Sequence, residues 1–140
     1  MEDSQFEALR EFFSSRPELG VTSVYLFGSH AENRAHRESD VDIAVLLDWK
    51  RYPTDRDRFD ARVSLGSQLI GVLHHNEIDL VILNDVPPLF GRHILHTGVP
   101  VFVGDPQTDE EFFRVLQLRA ADLEPWLRKV RRLRLEALAR

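Results

Sequence analysis

Two apolar runs with a polar gap between them constrain this chain more than any other feature. The first, Val21 to Phe27, is rich in β-branched and aromatic residues and stops at Gly28-Ser29, as a buried strand ends at a turn. After ten intervening residues, Asp40-Val41-Asp42 opens a second run, Ile43 to Leu47. Side chains alternate along a strand. Asp40 and Asp42 therefore share a face with Ala44 and Leu46, about 6.5–7 Å apart by backbone rise. Val41, Ile43, Val45 and Leu47 take the other face. Two carboxylates at that spacing suit a pair of divalent cations about 3.5–4 Å apart. A Gly-Ser turn ending a neighbouring strand offers backbone N–H groups and a hydroxyl to phosphate.

A third acid, Asp79, lies at the start of another apolar run, Glu77 to Leu83. The plain alternative for any one of these aspartates is a charged residue marking a strand start or guarding an edge. Three of them at strand starts, beside a Gly-Ser turn, favour metal-assisted phosphoryl or nucleotidyl transfer.

The remaining elements follow from pattern. Ser4-Gln5-Phe6-Glu7 reads as a capping box opening a helix with Phe6, Leu9 and Phe13 on one face. Pro17 and Gly20 end it. Thr54 caps a helix to about His74, with Phe59, Val63, Ile70 and Leu73 as its apolar stripe. Pro87-Pro88 leads into a short helix ending near Gly98. Val99 to Val103 is a last strand, placed at an edge by Pro100. Thr108-Asp109-Glu110-Glu111 reads as another capping box, for a helix burying Phe112, Leu116, Ala120 and Leu123. Pro125 is expected to break or kink that helix near Glu124, leaving a final helix to about Ala139. The order α-β-β-α-β-α-β-α-α predicts an α/β (α+β) sandwich, a small mixed β-sheet with helices packed on it, rather than a doubly wound sheet. One domain is expected over residues 1–140, with 107–140 as its helical C-terminal part.

With 140 residues, 43% of them hydrophobic, the chain is long enough to bury a core unaided. It has no cysteine, so disulfides and thiolate metal sites are excluded. No apolar run approaches the ~18 residues of a membrane span and no signal peptide is visible. A cytoplasmic protein without a membrane role is expected. The net charge of −5 is unevenly spread. Residues 1–118 carry 11 basic and 20 acidic side chains, whereas residues 119–140 carry 7 basic and 3 acidic. An acidic body is a poor general binder of nucleic acid, so no direct nucleic-acid role is expected. The basic tail, with Arg128, Lys129, Arg131, Arg132 and Arg134, reads as a solvated helix face or as a docking surface for a partner or RNA.

Gly28-Ser29, ten residues, Asp40-x-Asp42, and Asp79 on a later strand resemble the DNA polymerase β-type nucleotidyltransferase superfamily. The runs Ser39 to Leu47 and Glu77 to Asn84, with Pro87-Pro88-Leu89 and Ile94-Leu95 before Gly98, resemble its minimal MntA-type antitoxins, encoded beside HEPN-domain (HepT-type) toxins. The resemblance implies the nucleotidyltransferase fold and roles for these residues. Asp40 and Asp42 would hold two Mg²⁺ ions that bind the triphosphate of ATP, the substrate. Gly28 and Ser29 would hold its β- and γ-phosphates. Asp79 would bind the catalytic metal and help deprotonate the acceptor. The acceptor implied is a tyrosine of the HEPN toxin, which forms a hetero-oligomer with the antitoxin and is silenced by AMP. Many relatives read Gly-Ser-Arg-Ala-Arg-Gly where this chain has Gly28-Ser29-His30-Ala31-Glu32-Asn33. Two cations have become His and Glu, which weakens the attraction for triphosphate; Arg34 and Arg37 restore part of the charge.

Two other functions fit the same residues less well. One is a catalytically weak antitoxin that acts by binding alone, which the altered loop allows. The other is transfer to a small molecule such as an antibiotic, for which 140 residues leave little room. His93 and His96 have an i, i+3 metal-ligand spacing but no matching third ligand, and read as ordinary surface or core residues. His30 and His36 fall in the phosphate loop, and His74-His75 at a helix end suits the helix dipole.

Overall fold

The computed structural model describes residues 1, 3–28, 40–74 and 77–139. Helix α1, Asp3–Ser14, buries Leu9, Phe12 and Phe13. A 3₁₀ turn at Pro17–Leu19 follows, and strand β1 is Val21–Phe27. Then come β2, Val41–Leu47, and α2, Asp55–Leu73. Strand β3 is Ile78–Ile82, α3 is Pro88–Thr97, β4 is Val99–Val103 and α4 is Pro106–Leu138. The four strands form one mixed sheet in the order β3-β2-β1-β4. β1 pairs antiparallel with β2 and β4, while β2 pairs parallel with β3. The parallel pair requires a crossover, and α2 supplies it. The expected sandwich and mixed sheet are both present. β4 lies at an edge, as Pro100 implied.

The alternation of β2 and β3 divides the core. Val41, Ile43, Val45, Leu47, Leu80 and Ile82 pack on one side under α1 and α2. Ala44, Leu46 and Val81 pack on the other, with Ile94 of α3 and Phe112 of α4. Asp42 and Asp79 belong by alternation to this second face.

Helix α2 starts where expected. Thr54 Oγ1 accepts the Asp57 N–H at 3.0 Å and the Asp57 carboxylate accepts the Thr54 N–H in return. Its expected stripe is wrong in three places. Phe59, Val63 and Ile70 are exposed, and the buried residues are Arg58, Leu65, Leu69 and Leu73. The helix is rotated because β3 and α1 dock on the Leu65-Leu69-Leu73 row. Arg58 enters the interior with its charge matched. Its guanidinium donates to both Asp85 oxygens at 3.1 and 3.0 Å, to the Tyr52 carbonyl at 2.9 Å and to Asp55 at 2.5 Å. Chiefly through the bond to Asp85, its pKa is raised still further.

Helix α4 departs from expectation at both ends. It begins earlier, with Asp105 as its cap; the Asp105 carboxylate accepts the Thr108 N–H at 3.2 Å. It also runs through Pro125 without a break. That proline cannot donate to the Ala121 carbonyl, but Ala121 and Pro125 are both exposed, so the flank is open to solvent. Leu123 is 37% exposed, so the buried face ends at Ala120.

Asp109 spends no effort on capping. Its carboxylate accepts the Ser23 hydroxyl at 2.6 Å and the Tyr25 hydroxyl at 2.9 and 2.7 Å, fastening α4 to β1. Ser23 and Tyr25 are buried, and burial, followed by the bond and charge of Asp109, raises the Tyr25 pKa. The Asp109→Ala variant strands two buried hydroxyls. It is expected to lose about 2–4 kcal/mol of stability in urea titration, since each unsatisfied buried group costs about 1–3 kcal/mol.

Candidate active site

Three strands bring the site together at one end of the sheet. Phe27, the last residue of β1, pairs with Asp42 of β2, and Asp42 pairs in turn with Asp79 of β3. The two aspartates sit side by side across a parallel ladder whose strands lie about 4.8 Å apart. The Val41 N–H donates to the Glu77 carbonyl at 2.9 Å and holds the two strand starts level. Asp40 lies one residue before β2, and Asp79 is the second residue of β3. Asp40 and Asp79 are exposed, while Asp42 is half-buried.

Gly28 follows Phe27 at φ 73°, in the left-handed region that favours glycine. A Cβ there would stand 2.2 Å from Asp42 Oδ2 and 3.0 Å from its Cγ. The bare glycine backbone thus forms a wall against which the Asp42 carboxylate lies. Phe27 is braced from α3 by Phe90, whose ring meets it edge-on at 6.1 Å.

Burial, then the charge of Asp79, then that of Asp40 push the Asp42 pKa up to about 6. The three acids are therefore close enough to repel at Asp42. Among the described residues, no three His, Cys, Asp or Glu side chains form a ready-made metal cage. The donor set nonetheless fits a hard cation. It is all carboxylate, it carries excess negative charge, and the absence of a side chain at position 28 is what lets the Asp42 carboxylate lie there. Ser29 and the loop residues His30, Glu32, Asn33, Arg34, His36 and Arg37 lie outside the described residues, as does His75. His96 stacks on Phe113 at 5.9 Å and meets Gln117 at 2.6 Å, which supports its reading as an ordinary residue.

The close packing of Gly28 on Asp42 was not legible in the sequence, which pointed only to a phosphate turn. Nor was a cleft of about 660 Å³ along β3, just beyond Asp79. Arg58, Phe59 and Arg62 of α2 line it on one side, Val86, Pro87 and Phe90 on the other. The apolar Phe59 is the only trace of it in the sequence, and the structure moves that residue from the expected core stripe to the wall of the cleft.

The chain matches known proteins through this region. Residues 7–107 match the family described as Polymerase beta, Nucleotidyltransferase. The protein adenylyltransferase MntA of Shewanella oneidensis is 33% identical over 94 residues, covering 66% of this chain and 60% of that protein. The matched region thus spans about three-fifths of this curated relative. Among solved structures, a complex of tri-AMPylated Shewanella oneidensis HEPN toxin with MNT antitoxin contains a chain that aligns with TM-score 0.61 at 21% identity. The alignment covers 97% of this chain and 99% of that one. A structure assigned as a minimal nucleotidyltransferase aligns with TM-score 0.54 at 27% identity, over 71% of this chain and 96% of that one. Fold, strand-borne acids and family match agree: the chain belongs to the polymerase beta nucleotidyltransferase family.

Proposed function

We propose that this chain transfers AMP from ATP to a tyrosine hydroxyl of a cognate HEPN-domain toxin in the cytoplasm and so neutralises it. The observation that carries the reading is the pairing of Asp42 with Asp79 across adjacent strands, with Gly28 packed against the Asp42 carboxylate. The similarity to a protein adenylyltransferase supports the choice of reaction.

In this reading Asp40, Asp42 and Asp79 hold two Mg²⁺ ions. When bound, these neutralise charge on the triphosphate and on the attacking and leaving oxygens. Gly28 and Ser29 present the turn that receives the β- and γ-phosphates. Asp79 is exposed on the side from which an acceptor arrives, and takes the hydroxyl proton as the tyrosine oxygen bonds to the α-phosphorus. The bond from that phosphorus to the bridging oxygen breaks, and pyrophosphate leaves. In this reading the acceptor ring enters the cleft along β3 and packs on Phe59, Val86, Pro87 and Phe90 of its lining. Phe27, braced by Phe90, keeps the floor of the site fixed.

The test is transfer of labelled AMP to the purified toxin in Mg²⁺ or Mn²⁺. Wild type is expected to label one chain of the complex, and Asp40→Ala is expected to lower the rate by about 10²–10³-fold. Absence of label over the full range of either metal overturns the proposal. Protection of cells by an inactive Asp40→Ala chain would point to neutralisation by binding alone.

A further inference from the structure

Among the described residues, the last three turns of α4 pack against no other element. Every residue from 128 to 139 is exposed. Before that stretch the helix is held to the body by the ion pair between Glu124 and Arg92 of α3. From that point on, Leu123, Trp126, Val130 and Leu133 follow one another at spacings of three, four and three, the seam of a two-helix contact. They are 37%, 60%, 41% and 50% exposed. Large apolar groups gathered on one exposed stripe mark an interaction surface. A projecting helix this short gains little from its own hydrogen bonds and is stabilised by being covered.

We propose that this stripe docks an amphipathic helix of the acceptor protein whose apolar seam is bordered by Asp and Glu. Charge selects that occupant. Residues 119–140 carry 7 basic and 3 acidic side chains, and one of the acids, Glu124, is already paired. Arg134, with Arg131 one row behind it, borders the stripe on one side, so carboxylates on the incoming helix meet cations there, while Lys129 stands on the other side between Asp122 and Glu136. Two copies of the tail facing each other bring like charge together. The tail of one copy on the acidic body of another is a heterologous contact that leaves a free tail and a free body at the ends. Single-stranded RNA would use the cations but strand the apolar seam, and it would face a body of net negative charge. The inference rests on the proposed function only in identifying the owner of the helix as the acceptor.

Titration calorimetry between the full chain and the separately purified toxin tests it. Trp126→Glu with Val130→Glu is expected to weaken binding at least about 100-fold. Arg131→Glu with Arg134→Glu is expected to weaken it about tenfold and to flatten its salt dependence. Leu118→Glu, at an exposed position off the stripe, should change affinity less than about twofold. Nucleotide affinity should be unchanged in all three. The inference is overturned if the apolar double variant binds within threefold of wild type. It is equally overturned if the chain alone sediments as a dimer that this variant dissolves, or if the stripe prefers RNA to the toxin. A wild type that binds the toxin through the stripe but transfers no AMP removes the proposed activity and keeps the docking surface. Transfer undiminished in the variants at subsaturating toxin does the reverse.

Discussion

Replacing Asp42 with Asn is expected to make the protein more stable and, in the proposed mechanism, inactive. Burial, then the charge of Asp79, then that of Asp40 raise the Asp42 pKa from the usual 3.8 to about 6. An acid whose pKa is higher in the folded than in the unfolded state binds its proton more tightly when folded. Stability therefore falls as pH rises from about 4 to 6, and the full cost remains above that window. Solvent reaches Asp42, which reduces the cost to about 1–2 kcal/mol. Asn carries no charge and escapes it. The melting temperature of Asp42→Asn at pH 7.5, without metal, is expected to exceed that of wild type by about 3–6 °C. The difference should vanish by pH 4. Transfer should fall about 10³-fold. Mg²⁺ with ATP should raise the melting temperature of wild type and leave the variant unmoved. A variant less stable than wild type at pH 7.5 would contradict this account of the site.

The second large effect is at Gly28. Alanine there must adopt φ 73°, which costs about 1–2 kcal/mol. Its methyl group would also arrive 2.2 Å from Asp42 Oδ2. That separation is far inside contact distance, so the carboxylate must swing away from Gly28 and leave its present position. Gly28→Ala is expected to lose about 1–3 kcal/mol in urea titration and about 100-fold in transfer, because displacement by an ångström at a reacting centre costs that much. In combination with Asp42→Asn the activity loss should not multiply, since both changes act on one carboxylate. Activity within threefold of wild type would show that Gly28 does not shape the site.

Period-two alternation made β2 and β3 legible, because one face had to be apolar and the aspartates stood on the other. The helices were less so. α2 carries two apolar rows, Phe59-Val63-Ile70 and Leu65-Leu69-Leu73, and only docking on α1 and β3 decides between them. Arg58 marked the buried row, but an arginine is legible as interior only once Asp85, Asp55 and the Tyr52 carbonyl are seen around it. Pro125 breaks an isolated helix by rule, yet α4 runs on with its flank open to water. Asp109 reads locally as part of a cap, and its real partners lie more than 80 residues away on β1. The aspartates of the site were visible from spacing, whereas the contact of Gly28 with Asp42 depends on the β1–β2 register.

The two outer strands leave another protein little to hold. β3 and β4 are five residues each. The Leu80 carbonyl of β3 is already taken by the Arg62 guanidinium at 2.9 Å, and β4 carries Pro100, which has no N–H to give. Neither edge presents an unbroken ladder, so growth of the sheet from molecule to molecule, the first step of strand-driven aggregation, is interrupted on both sides. A chain built this way can accumulate without polymerising through its strands.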